Sequence, residues 1–314
     1  MILVTGGTGF IGQALIRHLV EDGRAVRTLI RPSGRSPNLP KGVPVEAAIC
    51  AISDERGLRA AMVGVDTVYH LVGIERQGTQ VDLYAVEVEG TRNLVNVARD
   101  AGVERIFYVS HLGADRASAY PLLKVKGISE EYIRRSGIDH TILRSGLIFG
   151  PRDHFTTALA RMLYLFPFVF PLPGDGNTAI QPLWVEDLAT ILAWALEDDS
   201  TRNKTYEVGG PEFLTANELV DAIMNAVGTR KRIVYVRASY LRILGIVLEY
   251  LFPQLPFSIY WLDYLAANRT CALDTIPRDF GLMPARFSHH LGHLEGQPWE
   301  RILLREFFRR RTVS

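Results

Sequence analysis

Short apolar runs alternate with longer amphipathic stretches through the first half of the chain. "ILVTGGTGFIGQALIRHLVEDG" (residues 2–23) reads as a buried strand, a glycine-rich turn and a helix closed by Gly23. Strand-like runs recur at "AVRTLIR" (25–31), "VDTVYHLVG" (65–73), "ERIFYVSHLG" (104–113) and "DHTILRSGLIFG" (139–150). Between the third and fourth lies "EGTRNLVNVARDAG" (89–102), whose Leu94, Val95, Val97 and Ala98 make one helical face. This alternation predicts the α/β class, with a doubly wound parallel sheet covered by helices on both faces. After Gly150-Pro151 the pattern changes to apolar segments punctuated by proline, such as "RMLYLFPFVFPLPGDG" and "YLRILGIVLEYLFPQLPFSIYWLDYL".

Composition narrows the class. The 314 residues are 47% hydrophobic and 22% charged, enough for a sizeable core, and a net charge of +1 gives no footing for a nucleic-acid partner. Cys50 and Cys271 stand far apart and form no metal-ligand pattern, so reduced thiols, a cytoplasmic setting and no metal are expected. "MILVTGGTGFIG" starts a strand at once, which leaves no room for a leader peptide. The apolar stretches Met162–Gly174 and Tyr250–Leu262 fall short of the roughly 20 residues a membrane span requires, so a soluble or peripheral protein is expected.

The first turn carries the chemistry. Gly6, Gly9 and Gly12 fit G-x-x-G-x-x-G, while Gly7, Gly9 and Gly12 fit G-x-G-x-x-G. Glycine there allows a tight turn, close approach of backbone to a pyrophosphate, and contact between helix and strand, as in Rossmann-type nucleotide sites. Thr8 lies in this turn, and backbone N–H groups of Gly9, Phe10 and Ile11 sit at the positive end of the helix. The second strand ends at Arg31, and no Asp or Glu occurs between Ala25 and Lys41. With Arg31 and Arg35 available, a 2′-phosphate is expected, hence NADP(H) in preference to NAD(H). Ligands of parallel sheets bind at the carboxyl ends of strands, which draws in Leu71, Val72 and Gly73, then Ser110–Leu112, then Ser145–Ile148 with Leu147 among them.

Together "TGGTGFIG", "GVDTVYHLVG", "VEGTRNLVNVARDAGVERIFYVSHLGA" and "ILRSGLIFGP" resemble the extended and atypical branches of the short-chain dehydrogenase/reductase superfamily. The likeness continues through "QPLWVEDLATILAWAL" and "YEVGGPEFLTANELVDAI", covering at least the first 225 residues. "VSHLGA" and "LDYLAANRTCALDTIPRDFGLMPARFSHHL" are most similar to the group containing the accessory reductase-like subunit of respiratory complex I. That resemblance implies a dinucleotide-binding domain from residues 1–150 and about 182–210, and a smaller domain from 151–181 and 211–314. It also implies tight NADP(H) binding, in some members without turnover.

The superfamily's proton donor is a tyrosine, helped by a lysine four residues later. A tyrosine ordinarily titrates at about 10 and needs such a cation nearby to work at neutral pH. "SAYPLLKVKGISEE" (118–131) leaves two registers open. Tyr120 and Lys124 have the spacing, but Pro121 favours the first helical position and makes Tyr120 a cap. Lys126 has an acid four residues on, Glu130, as in the family, and in that register Leu122 takes the tyrosine position. The family's helper serine would fall at His111 or Leu112 rather than Ser110. The Asn common before "EGT" is Glu87 here, and a usual Gly-Asp pair is Cys50-Ala51. His70 and His111 are alternative acids.

Two functions follow. One is an NADP(H)-binding accessory or regulatory protein without Tyr-Lys catalysis, tied to a respiratory or other membrane complex. The other is an NAD(P)H-dependent oxidoreductase or epimerase on a small carbonyl or sugar-nucleotide substrate. The tail "WERILLREFFRRRTVS" gathers Trp299, Ile302, Leu303 and Phe307 near one face, with Arg301, Arg305 and Arg309–Arg311 among the polar positions. This composition predicts attachment to a membrane surface or membrane-bound partner on the cytoplasmic side, with Phe166–Phe170 and Leu251–Trp261 enlarging the patch.

Overall fold

The computed structural model describes residues 1–32, 37, 39–73, 82–166, 168–251, 262, 264, 265 and 267–308. Arg35, most of Leu251–Trp261 and Arg309–Arg311 lie outside the described residues. Seven parallel strands form the central sheet: β1 (Ile2–Thr5), β2 (Val26–Ile30), β3 (Glu46–Ile49), β4 (Thr67–His70), β5 (Arg105–His111), β6 (Asp139–Ser145) and β11 (Lys204–Val208). Their order is β11-β6-β5-β4-β1-β2-β3. The chain winds outward from β1 to β3, then returns to the other side of β1 at β4. That reversal opens a crevice at the carboxyl ends of β1 and β4, where sheets of this kind take their ligands.

The two faces of the sheet separate by residue parity. Ile2, Val4, Tyr69, Phe107, Val109 and Leu143 pack with α1 (Phe10–Glu21) and α6 (Val185–Glu197). Leu3, Val68, Ile106, Tyr108 and Ile142 pack on the other face with Leu58 of α2 (Glu55–Ala61), with α3 (Gly90–Asp100), and with Ile133 of α4 (Pro121–Arg134). Because both faces are covered, the inner strands β1, β4 and β5 bury residues of both parities instead of alternating buried with exposed ones.

Glu130 has a structural task. Its fully buried carboxylate accepts hydrogen bonds from Arg144 of β6 at 2.8–3.3 Å and from Arg134 one turn along α4 at 2.6 Å. This ties α4 to the sheet and fixes its rotation, so that Lys126, a turn earlier, is also carried inward. The run 139–150 is interrupted at Gly146, where a side chain would overlap the Gln181 carbonyl oxygen. The chain resumes as β7 (Leu147–Phe149), which pairs with β10 (Pro182–Trp184) instead of continuing the large sheet.

A further apolar cluster joins α5 (Thr156–Leu165), α7 (Ala216–Val227), β8 (Val169–Pro173) and Leu241 of α8 (Ala238–Leu251). Phe149, Phe155, Phe170 and Phe287 are its most deeply buried rings. The helix Trp299–Phe308 lies against α5, with Trp299 buried and its indole N–H donating to the Leu294 carbonyl at 3.0 Å. Ile302 packs on the same cluster. The apolar face expected to meet a membrane is thus engaged, at its start, with this protein's own core. The short helix Thr275–Phe280 instead returns to the large sheet, where Ile276 is buried and Phe280 meets Tyr206 edge-on.

Candidate functional site: a glycine turn and a buried ion pair

The turn between β1 and α1 shows three separate reasons for glycine. Gly6 has φ +79°, and a Cβ there would sit 2.8 Å from the Leu71 carbonyl carbon. At Gly12 a Cβ would overlap the Gly6 carbonyl oxygen and lie 2.6 Å from the Gly7 Cα. These two are required by the protein's own packing. Gly9 differs, because its φ of −78° and ψ of 176° suit any residue. It is exposed, and a Cβ would meet only the Gly6 carbonyl oxygen, at 3.0 Å. Its lack of a side chain leaves free space above the start of α1, which has neither a side-chain cap nor an acid in its first turn. Unsatisfied N–H groups at a helix N-terminus attract an anion.

Opposite this turn, Lys126 and Glu87 form an ion pair with Nζ 3.0 Å from Oε2, their side chains 5% and 0% exposed. Glu87 sits in a π-helical turn, Ala85–Glu89, leading into α3. Widened turns leave backbone groups to be satisfied in other ways. Here the Glu87 carbonyl accepts from the Thr91 hydroxyl at 2.5 Å and from the Ser129 hydroxyl at 2.7 Å. Burial disfavours charge on Lys126, but the Glu87 carboxylate and the adjoining Tyr108 outweigh it and raise the ammonium's pKa above its ordinary value. Lys126 therefore stays cationic.

His70 completes the support. Thr91 gives its proton to Glu87, so it can only accept from His70 Nε2, at 2.9 Å, and Nδ1 accepts from the Thr5 hydroxyl at 2.8 Å. The ring is neutral, and burial together with nearby Lys126 pulls its pKa down to about 3. A packed polar residue fits this geometry, and an acid in the cleft does not.

The turn, the ion pair and the strand ends enclose a cleft of about 390 Å³. Of the predicted binding residues, Gly6, Gly9, Phe10, Ile11, Gly12, Arg31, Leu71, Val72, Gly73 and Lys126 line it. Thr8 does not line it; its carbonyl accepts from Gln13, whose side-chain oxygen is held by Arg152 at 2.6 Å. Ser110, Ser145 and Leu147 are buried behind the wall, with Ser145 donating to the Ser110 carbonyl at 3.1 Å. Strand parity explains this, since Val109 and His111, flanking Ser110, are the lining residues, as is Ile148 next to Leu147.

Val86, Val109 and His154 were not anticipated, whereas Ile148 was. Nothing in the sequence period discloses the π-helical turn that carries Val86. His154 follows Asp153, a buried carboxylate that accepts from the Gly150 amide, the Thr157 amide and the Thr156 hydroxyl at the start of α5. Lys124 is exposed, and Tyr120 caps α4 with the Arg269 guanidinium over its ring, 5.7 Å from the ring centre. Leu122 is buried in the apolar cluster. Among the described residues no tyrosine lines the cleft. Burial, with Lys126 and Arg269 close by, pulls His111 down to about 3.

A parallel sheet whose reversal point holds a glycine turn, an uncapped helix start and a cationic cleft defines a Rossmann-type dinucleotide-binding protein. Comparison with known proteins supports an atypical, NAD(P)-binding and epimerase-like relationship to the short-chain dehydrogenase/reductase superfamily. A family model described as NAD(P)H-binding matches residues 6–157. The mitochondrial NADH dehydrogenase (ubiquinone) 1 alpha subcomplex subunit 9 of Arabidopsis thaliana is 28% identical, over 89% of this chain and 71% of its own length. An NAD(P)H azoreductase of Xenophilus azovorans is 27% identical, over 91% of this chain and 94% of its own. The crystal structure of an NADPH-dependent quinone oxidoreductase of Escherichia coli, complexed with NADPH, aligns with a TM-score of 0.73 at 21% identity. It covers 94% of this chain and 99% of that one, a likeness of fold.

The glycines make separable predictions. Gly9→Val leaves thermal stability nearly unchanged but blocks nucleotide, whereas Gly12→Ala lowers stability by about 1–3 kcal/mol through overpacking. Calorimetric titration alongside thermal melts checks both, and equal loss of stability in the two variants would contradict this division. The neutral histidines predict a pH dependence. Their folded-state pKa values lie below the unfolded value, so the stability they contribute is present above about pH 6.5 and lost as pH falls toward 3. Each contributes a slope of about 1.4 kcal/mol per pH unit in that window. A His70 ring that titrates by NMR between pH 6 and 7 would contradict the hydrogen-bond assignment.

Proposed function

We propose that this protein is an NADP(H)-binding accessory or regulatory subunit that holds its nucleotide without Tyr-Lys turnover. The observation that supports this reading most is that, among the described residues, no tyrosine lines the cleft that Lys126 lines. Tyr120 is at a helix cap, and Leu122 stands one turn before Lys126 with no proton to give. Tyr108 is near Lys126, but burial raises its pKa above the ordinary phenol range. Arg31, exposed at the end of β2 and facing no carboxylate among the described residues, supports a 2′-phosphate. In this reading residues 1–150 and about 182–210 hold the nucleotide, and residues 151–181 with 211–314 form the smaller unit over it. The relative that is an NADH dehydrogenase subunit favours an accessory role. The azoreductase and the quinone oxidoreductase keep open an NAD(P)H-dependent oxidoreductase, with a small acceptor taking hydride directly from the nicotinamide.

Attachment to a membrane surface or membrane-bound partner belongs to the same reading, through a different surface from the tail. On α8, Tyr240, Ile243 and Ile246 are 61%, 62% and 49% exposed. Residues 230–247 carry Arg230, Lys231, Arg232, Arg237 and Arg242 with no acidic residue among them. No helix of the described residues is long and apolar enough to cross a membrane.

Arg31→Asp should weaken NADP(H) far more than NAD(H), since a charged hydrogen bond of about 1.5–3 kcal/mol is lost. Tyr120→Phe should leave affinity and any residual turnover within about twofold, whereas a several-hundredfold drop would restore the oxidoreductase reading with a Tyr120 donor. For the surface, the full chain should float with vesicles containing anionic lipid at low salt, and Ile243→Asp with Ile246→Asp should abolish this. Flotation unaffected by that double change would remove α8 from the attachment.

A further inference from the structure

Charge on one side of the cleft carries an inference about which redox form of the nucleotide is held; it rests on the nicotinamide-dinucleotide reading above. The glycine turn takes the pyrophosphate, and Arg31 marks the adenosine side at the end of β2. The nicotinamide half then lies over the ends of β4 and β5, beside Gly73, His111 and Lys126. Oxidised nicotinamide is a cation and the reduced ring is neutral. The ionic groups of this side thus act differently on the two forms.

Two cations approach from the protein. Lys126 lines the cleft, and Arg269 stands behind His111, donating to the Leu112 carbonyl at 3.4 Å. His111 is neutral. The opposing charge is Glu87, fully buried and 3.0 Å from Lys126. A lysine that only had to grip ribose hydroxyls could be steadied by a neutral amide, without the desolvation cost of a buried carboxylate. This carboxylate is nonetheless held in place by the π-helical turn and by the Thr91 and Ser129 hydroxyls on its backbone. Gly73 keeps the pair open to the cleft. A Cβ there would lie 3.3 Å from both Glu87 Oε1 and Lys126 Nζ, although the backbone of Gly73 is not in the left-handed region.

We propose that Glu87 sets the redox-form preference of the site, cancelling the Lys126 charge so that the cleft retains the oxidised, cationic nicotinamide as well as the reduced one. A subunit that keeps its nucleotide through oxidation needs this property. An enzyme that releases the oxidised product after each turnover does not.

Calorimetric titration of the full chain with oxidised and with reduced NADP gives the ratio of their dissociation constants. In Glu87→Gln the oxidised form should weaken relative to the reduced by about tenfold, the scale of one unit charge acting across a partly buried site. That corresponds to about 30 mV in the bound two-electron couple. Lys126→Met should move the ratio the opposite way, and the double variant should bring it back toward the starting value. Glu87→Asp keeps the charge and should keep the ratio, even if both affinities fall. Circular dichroism melts identify any variant that loses its fold; if Glu87→Gln does, Lys126→Met, with its opposite shift, and the charge-keeping Asp variant carry the comparison. If all four variants bind both forms with the ratio unmoved, Glu87 is merely a structural partner of Lys126 and the inference is overturned while the nucleotide reading stands. If the unmodified protein binds neither form, both are overturned.

Discussion

A buried ammonium must find a counter-charge, and the cleft is arranged around how Lys126 finds its own. Glu87 supplies it from a π-helical turn, and that turn persists because two hydroxyls take the backbone carbonyl it displaces. Thr91, already committed to Glu87, then fixes the neutral tautomer of His70, which reaches across to Thr5 at the end of β1. The floor of the cleft is therefore a connected chain of hydrogen bonds from α4 to the first strand. Breaking the ion pair from either side would leave a buried charge alone, which is the costly outcome for such pairs.

The same constraint joins fold to function. Glu130 anchors α4 to β6 and so sets which turn of that helix faces the cleft. With the helix held in that rotation, Lys126 points inward, Lys124 points to solvent, and Leu122 enters the apolar cluster. No tyrosine lines the cleft among the described residues; Tyr108 adjoins the lysine but is fully buried, and the lysine's ion partner is a carboxylate. What remains is a site suited to gripping a nucleotide, with proton transfer left unprovided by a tyrosine.

Much of this was legible in the chain because it rests on local rules. The parallel sheet followed from the alternation of buried strands and amphipathic helices, and the nucleotide turn from glycine spacing between a strand and a helix. Even the choice between Lys124 and Lys126 turned on a proline that caps and an acid one helical turn away. The details that escaped depend on geometry no period encodes. Ser110 and Ser145 looked close to the ligand because they stand at strand ends, yet parity turns them away and brings Val109 and His111 forward. Glu87 was visible as an unusual residue before "EGT", but its pairing with Lys126 joins residues of two different elements. The break at Gly146 likewise arises from a carbonyl 35 positions later in the chain. At the tail, helical spacing correctly gathered Trp299 and Ile302 on one face, but spacing cannot say that the face meets α5.

The most direct measurement is a crystal structure of the full chain grown with NADP and refined with the nucleotide bound. The account predicts the Lys126 Nζ within hydrogen-bonding distance of the nicotinamide ribose, still paired with Glu87, and no tyrosine oxygen within reach of the reactive carbon of the ring. A structure in which Tyr120 swings over that carbon with Lys124 beneath it, or in which Lys126 leaves Glu87 and faces solvent, would contradict it.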